Sequence, residues 1–319
     1  MLKSKHIVIA PLYWGLGHAA RCIPIIKSLL VDNYVSIASD GEALKLLTNE
    51  FPSLDYYPLP GYNIEYKYGS MSINMILQSP HVLRTIRAEK KAAIDISLKS
   101  KANVLISDNR FGFRCDSVYN IYITHQITVA SNNIVSETIA SKLHQKIINR
   151  FDECWVPDFE GKNALAGKLS QNNLKIPTTY LGPLSRMKSY PIAHKYDIAI
   201  ILSGPEPQRT ILEKLLVSKW ANTDINVCLV RGTEMFKTKN YPSNFEVFDM
   251  LETIKLNEVI NASTKIVCRA GYTSIMDLVS LKKQAILIPT PGQYEQEYLA
   301  TLLNGKHDFE IWNQKDLKG

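Results

Sequence analysis

Short apolar runs of strand length recur along the chain, each separated from the next by a helix-sized stretch. This alternation constrains the fold more than any other feature. In the first part the runs are residues 7–10, 35–38, 104–107, 121–124, 154–156 and 179–181, and in the second 198–202, 225–230, 245–248, 266–268 and 285–288. A strand that is apolar at every position must be covered on both faces, which points to parallel strands sandwiched by helices. Between the two sets lies a stretch punctuated by Gly182, Pro183, Ser185 and Pro191, where neither the strand nor the helix period is sustained. The expectation is therefore an α/β chain of two Rossmann-like domains, residues 1–185 and 186–319, with parallel sheets facing across a cleft.

Composition excludes several other classes. A chain of 319 residues with 45% hydrophobic and 21% charged side chains is neither disordered nor collagen-like. No apolar run approaches the roughly 20 residues of a spanning helix. Met1 to His6 lead directly into the first strand without a signal-peptide core, so a cytoplasmic protein is expected. The five cysteines are scattered, with no Cys-x-x-Cys pair, and read as buried small hydrophobes rather than disulfides or zinc ligands. The net charge of +7 comes without any run of five Lys or Arg residues, so no nucleic-acid partner is expected.

Chemistry in open parallel sheets sits in the loops after the strands. The first such loop, residues 11–21, carries Gly15, Gly17 and His18 at the start of a helical pattern. Glycines there let the backbone approach a ligand, and a helix N-terminus disfavours the cationic imidazole, leaving a neutral His18 able to take a proton. The alternative is that His18 only caps the helix. As bare spacing, Gly15-x-Gly17-x-x-Ala20 followed by Asp40 also fits a dinucleotide fingerprint, although His18 would crowd a pyrophosphate. Asp108 and His125 end neighbouring strands; Asp108 and Asp277 could equally be capping or surface carboxylates. Tyr13, Trp14 and Phe111 read more readily as core than as sugar platforms. In the second half, Ser203-Gly204 follows the first strand, Arg269-Ala270-Gly271-Tyr272-Thr273-Ser274 leads to Asp277, and a loop bounded by Pro289 and Pro291 leads to Gln296 and Glu297.

These turns, in this order, resemble the two-Rossmann-domain (GT-B) glycosyltransferases of the MurG-like family, family 28 type, which includes an N-acetylglucosaminyltransferase acting on a peptidoglycan lipid intermediate. The resemblance spans nearly the whole chain. It implies an N-terminal acceptor domain and a C-terminal donor domain, a nucleotide-sugar substrate with UDP-sugar the expected donor, and no cofactor. It implies Ser203 and Gly204 at the diphosphate, Arg269, Gly271, Thr273 and Ser274 in the donor loop, Asp277 on the ribose, Gln296 near the sugar, and Arg186 reaching the diphosphate from the hinge. Gly15 and Gly17 belong to the acceptor-side loop, and His18, Asp108 and His125 are the candidate bases.

Several positions depart from the family pattern. Asp277 stands where Glu is usual, Glu297 where a second Gln is expected, and Gln126 in place of an acid. The family continues beyond this point with helices folding back across the cleft, so a shortened C-terminus is expected. The sequence holds no Asp-x-Asp pair for a metal-bound diphosphate, so the implied mechanism is a metal-independent displacement with inversion, His18 deprotonating the acceptor. The acceptor is expected to be a carbohydrate or a lipid-linked molecule. The segment 62–75 and the following helix, opened by Ser79-Pro80, carry Leu83, Ile86, Ala93 and Ile96 on one face and Arg84, Arg87, Lys90 and Lys91 elsewhere. This is either an ordinary amphipathic helix or a flank touching the inner face of a membrane. The alternatives to a transferase are an NAD-dependent oxidoreductase using Gly15, Gly17 and Asp40, a sugar-nucleotide epimerase, and a non-catalytic nucleotide-sugar binding protein.

Overall fold

The computed structural model describes residues 2–62, 79–233 and 240–317. Most of the 62–75 segment lies outside them. The chain divides into two compact units, Met1–Ser185 and Arg186–Gly319.

Unit 1 is built from β1 (His6–Pro11), α1 (Gly17–Leu29), β2 (Tyr34–Ser39), α2 (Gly41–Glu50), β3 (Asp55–Pro58), α3 (Ser79–Ser100), β4 (Val104–Asp108), β5 (Tyr119–Ile123), α4 (Ile134–Ile148), β6 (Glu153–Val156) and β7 (Thr178–Tyr180). All seven strands are parallel, in the order β3-β2-β1-β4-β5-β6-β7. The uninterrupted apolar runs have a direct cause. In β1, Ile7 and Ile9 face a core shared with Ile23 and Ile26 of α1 and Leu47 of α2. Val8 and Ala10 face a second core containing Ala93 and Ile96 of α3. Each fully buried isoleucine contributes about 1.5–3 kcal/mol, so a strand apolar on both faces is anchored from both sides.

Unit 2 repeats the plan with β8 (Tyr196–Ile201), α5 (Gln208–Trp220), β9 (Val227–Val230), β10 (Phe245–Phe248), α6 (Thr253–Asn261), β11 (Ser263–Cys268), α7 (Tyr272–Leu281), β12 (Gln284–Leu287), α8 (Tyr294–Leu303) and β13 (Phe309–Ile311). Its six parallel strands run β10-β9-β8-β11-β12-β13.

The fold class is as expected, but β3 and β13 were not read from the sequence. Both are sheet-edge strands with exposed or polar residues, Asp55 and Pro58 in one and Glu310 in the other, so they lack the apolar run that marks a central strand. In α3, Ala93 and Ile96 are buried as expected, whereas Leu83 is exposed. All five cysteines are buried and free.

Candidate functional site

In each sheet the strand order reverses beside the first strand of the unit, between β1 and β4 in unit 1 and between β8 and β11 in unit 2. Crevices at such reversals, at the carboxyl ends of the strands, are where open α/β sheets bind ligands.

In unit 1 the loop after β1 turns at Gly15 in a left-handed conformation (φ +82°), which a residue with a side chain adopts only at a cost, and α1 begins at Gly17. His18 is thereby the second residue of the helix. The register pairs Pro11 with Asp108, so the ends of β1 and β4 lie side by side. His18 Nδ1 is 2.9 Å from Asp108 Oδ1. Arg21, one turn further along α1, donates from Nε to Asp108 Oδ2 at 2.7 Å and from Nη2 to Asp108 Oδ1. Its Nη1 reaches Nδ1 of His125, on the loop after β5, at 3.1 Å. The structure thus brings together His18, Asp108 and His125, with Arg21 at their centre.

The electrostatics follow from burial and charge. Burial would raise the Asp108 carboxyl, but the Arg21 guanidinium and His18 outweigh it and hold the group well below the usual carboxylate range. Burial lowers His18, with the charge of Arg21 acting the same way and Asp108 opposing both. The His18 side chain keeps 16% exposure while Asp108 has none, so the histidine can meet a substrate and the aspartate cannot. An ionised Asp108 accepts from Nδ1–H of His18, which leaves Nε2 as the nitrogen that takes a proton.

Arg21 closes the 11–21 stretch and has no role in the sequence-based expectation. Its signal is spacing: three residues after His18, it projects from the same helix face. Asp40, which a dinucleotide reading needs at a ribose, stands at the N-cap position of α2 without a side-chain cap bond and is ion-paired with Arg110. Tyr13 packs on the unit core, and Phe111 lies edge-on to His144.

Unit 2 gathers the expected donor-side residues on three loops. Ser203 and Gly204 are exposed after β8, and Gly204 has φ +95°. Gly271 is the N-cap of α7, in extended backbone with no side-chain cap, and Thr273, Ser274 and Asp277 follow within the helix. A Cβ placed on Gly204 or Gly271 would meet no atom within 4 Å, so both border open space. The first-turn N–H groups of α7 supply donors of the kind that hold phosphate oxygens. Gln296 lies in the first turn of α8 and accepts from Thr290 N–H at 2.9 Å; Glu297 accepts from Gly292 N–H at 2.8 Å. The carboxamide oxygen of Gln296 thus shapes its own loop.

Arg269 is buried beneath these loops rather than facing outward. It donates to the carbonyls of Gln208 at 2.8 Å, Pro289 at 3.3 Å and Ile288 at 3.4 Å, bracing all three loops at once. Burial pushes it down to about 10. Arg186 donates to Thr253 Oγ1 at 3.0 Å, at the start of α6. Arg209, not singled out in the sequence, pairs with Glu206 and donates to the Arg231 carbonyl at 3.3 Å, fixing the loop that carries Gly204.

Residues 201–319 match the family model of the glycosyltransferase family 28 C-terminal domain. Over 91% of its length the chain is 22% identical to an uncharacterized glycosyltransferase of Methanosarcina acetivorans, covering 80% of that protein. Its fold is similar to the glycotransferase of kitacinnamycin, with a TM-score of 0.69 at 12% identity over 98% of this chain and 87% of the other. It is also similar to Phytolacca americana UGT2 complexed with UDP-2-fluoro-glucose and pterostilbene, with a TM-score of 0.63 at 13% identity over 98% and 86%. The architecture is that of GT-B glycosyltransferases, and the family match together with the curated relative supports glycosyltransferase activity.

Proposed function

We propose that this chain transfers a sugar, with N-acetylglucosamine the first candidate, from a UDP-sugar to a hydroxyl acceptor by a single inverting displacement that uses no metal. The observation that carries the reading is the His18–Asp108 pair at the carboxyl end of β1 and β4, with a basic nitrogen on the partly exposed member. In the proposed step the acceptor O–H gives its proton to His18 Nε2 and the oxygen forms a bond to the anomeric carbon. The bond from that carbon to the diphosphate breaks, and UDP departs with the bonding electrons. Asp108 holds the ring and stabilises the imidazolium that forms. Gly204, the α7 N-terminus and Arg186 are assigned to the diphosphate, Asp277 to the ribose and Gln296 to the sugar. Arg269 is assigned to positioning these loops. The plant enzyme's UDP-2-fluoro-glucose is consistent with a UDP-sugar donor.

For the acceptor we favour a lipid-linked or carbohydrate molecule, with peripheral contact at a membrane face. The outward face of α4 supports this: Ile134 (83%), Val135 (69%), Ile139 (57%) and Leu143 (61%) are exposed, and Lys142 and Lys146 share that face. Apolar groups interspersed with cations suit an anionic lipid surface. No described helix is long and apolar enough to cross a membrane. Incubation with UDP-N-acetylglucosamine and a panel of glycolipid and saccharide acceptors should release UDP, and His18→Ala should not support that release. Equal release by wild type and His18→Ala would overturn the assignment of the base.

A further inference from the structure

The proposed mechanism assigns work to His18 and Asp108 but none to Arg21, which touches both. Its guanidinium is buried and meets three side chains from three elements: Asp108 on β4, His125 after β5, and His18 on its own helix. Arginine carries donors only, so each neighbour must answer with an acceptor. Asp108 does so with both oxygens. His125 can do so only if its Nδ1 is unprotonated, which places the His125 proton on Nε2.

His18 is held in a competition. Its Nδ1 lies 2.9 Å from Asp108 Oδ1, which accepts, and 2.9 Å from Arg21 Nη2, which donates. A ring nitrogen serves one of them. The neutral tautomer whose Nδ1–H donates to Asp108 is the one that leaves Nε2 basic, whereas an imidazolium would set a second positive charge against the guanidinium. The groups acting on His18 are Arg21 from α1, Asp108 from β4 and His125 from the loop after β5. Cys22 donates from Sγ toward Asp108 Oδ2 at 3.4 Å, and burial with the nearby Asp108 charge pushes that thiol well up, so it stays neutral. Arg21 is therefore the cation that opposes Asp108 at the ring.

Resting on the transferase reading above, we propose that Arg21 is the positioning residue of the His18–Asp108 pair: it locks the carboxylate against the ring and keeps the imidazole uncharged, ready to accept the acceptor's proton. The carboxylate alone would favour the imidazolium in the resting protein and hold the base already protonated at mildly acidic pH. Burial is the main cause that lowers His18, and the Arg21 charge adds to it against the opposing Asp108.

The test is a pH titration of histidine ring signals by NMR on ¹⁵N-histidine-labelled protein, with His18 assigned by comparison with His18→Gln. It needs no substrate. Wild-type His18 should titrate below its ordinary value of about 6.5. In Arg21→Gln it should titrate about one pH unit or more higher, because a cation in direct contact is removed. Arg21→Lys, which keeps the charge without the fork, should restore most of the wild-type position, and Asp108→Asn should move His18 the other way. A folded Arg21→Gln with an unmoved His18 would overturn the proposal. If Arg21→Gln does not fold, wild-type His18 titrating above 6.5 would overturn it as well. The acidic limb of UDP release should follow His18 upward in Arg21→Gln. If the ring titrates as described but UDP is never released from UDP-sugar, the electrostatic role of Arg21 stands and the transferase reading fails.

Discussion

Replacing Asp108 with Asn removes a fully buried negative charge while leaving the Arg21 guanidinium in place. In the wild type that carboxylate accepts from Arg21 through both oxygens and from His18 Nδ1 at 2.9 Å. Removing one partner of a buried pair costs about 3–5 kcal/mol, since the remaining charge is left without compensation. Set against a domain stability of about 5–15 kcal/mol, this is a large fraction. Asn keeps one acceptor oxygen and should fall near the lower end, Asp108→Ala near the upper. The double change Arg21→Met with Asp108→Leu takes both charges out and should recover most of the loss. The sign with pH follows from the depressed carboxyl: its stabilisation is fully present above the unfolded value of about 3.9 and is lost as pH falls from there through the folded value. The gap between wild type and Asp108→Asn should therefore persist down to about pH 4 and narrow below it. Urea unfolding read by amide exchange in β1 and β4 isolates unit 1 from unit 2, which a single global signal in a two-domain chain does not. An Asp108→Asn protein within about 1 kcal/mol of wild type at pH 7, or a double variant no better than the single ones, would refute the reasoning.

His18→Ala should slow transfer by about a hundredfold or more while leaving UDP affinity unchanged, as loss of a general base does; equal loss of nucleotide binding would show a structural role instead. Arg269→Ala leaves buried carbonyls of Gln208, Ile288 and Pro289 without their donor, at about 1–3 kcal/mol each at most, so unit 2 should melt earlier and bind UDP more weakly. Exchanging Ile139 and Leu143 for Asp should abolish sedimentation with vesicles containing anionic lipid, with transfer to a water-soluble acceptor retained; unchanged sedimentation would remove α4 from the membrane contact.

The central strands were legible because burial on both faces writes itself into the sequence as unbroken apolar runs, as at Ile7 to Ala10. The edge strands β3 and β13 were not, since an edge needs neither continuous burial nor a two-sided apolar pattern. His18, Asp108 and His125 could each be named from their places after strands. Their convergence could not, because it depends on the register of β1 against β4 and on a side chain, Arg21, whose spacing from His18 gives its helix face but not its partners on β4 and after β5. The inward turn of Arg269 escaped for a similar reason: a polar residue beside a glycine loop suggests ligand contact, while its actual partners are carbonyls contributed by segments about 20 and 60 positions away.

Calorimetric titration with UDP, UDP-N-acetylglucosamine and NAD tests the donor assignment most directly. The wild-type protein should bind UDP and UDP-N-acetylglucosamine and give no heat with NAD. Asp277→Ala should lose about tenfold to a hundredfold in UDP affinity, the equivalent of one or two charge-assisted hydrogen bonds at about 1.4 kcal/mol per decade. Tight binding of NAD with no response to either uridine ligand would contradict the account.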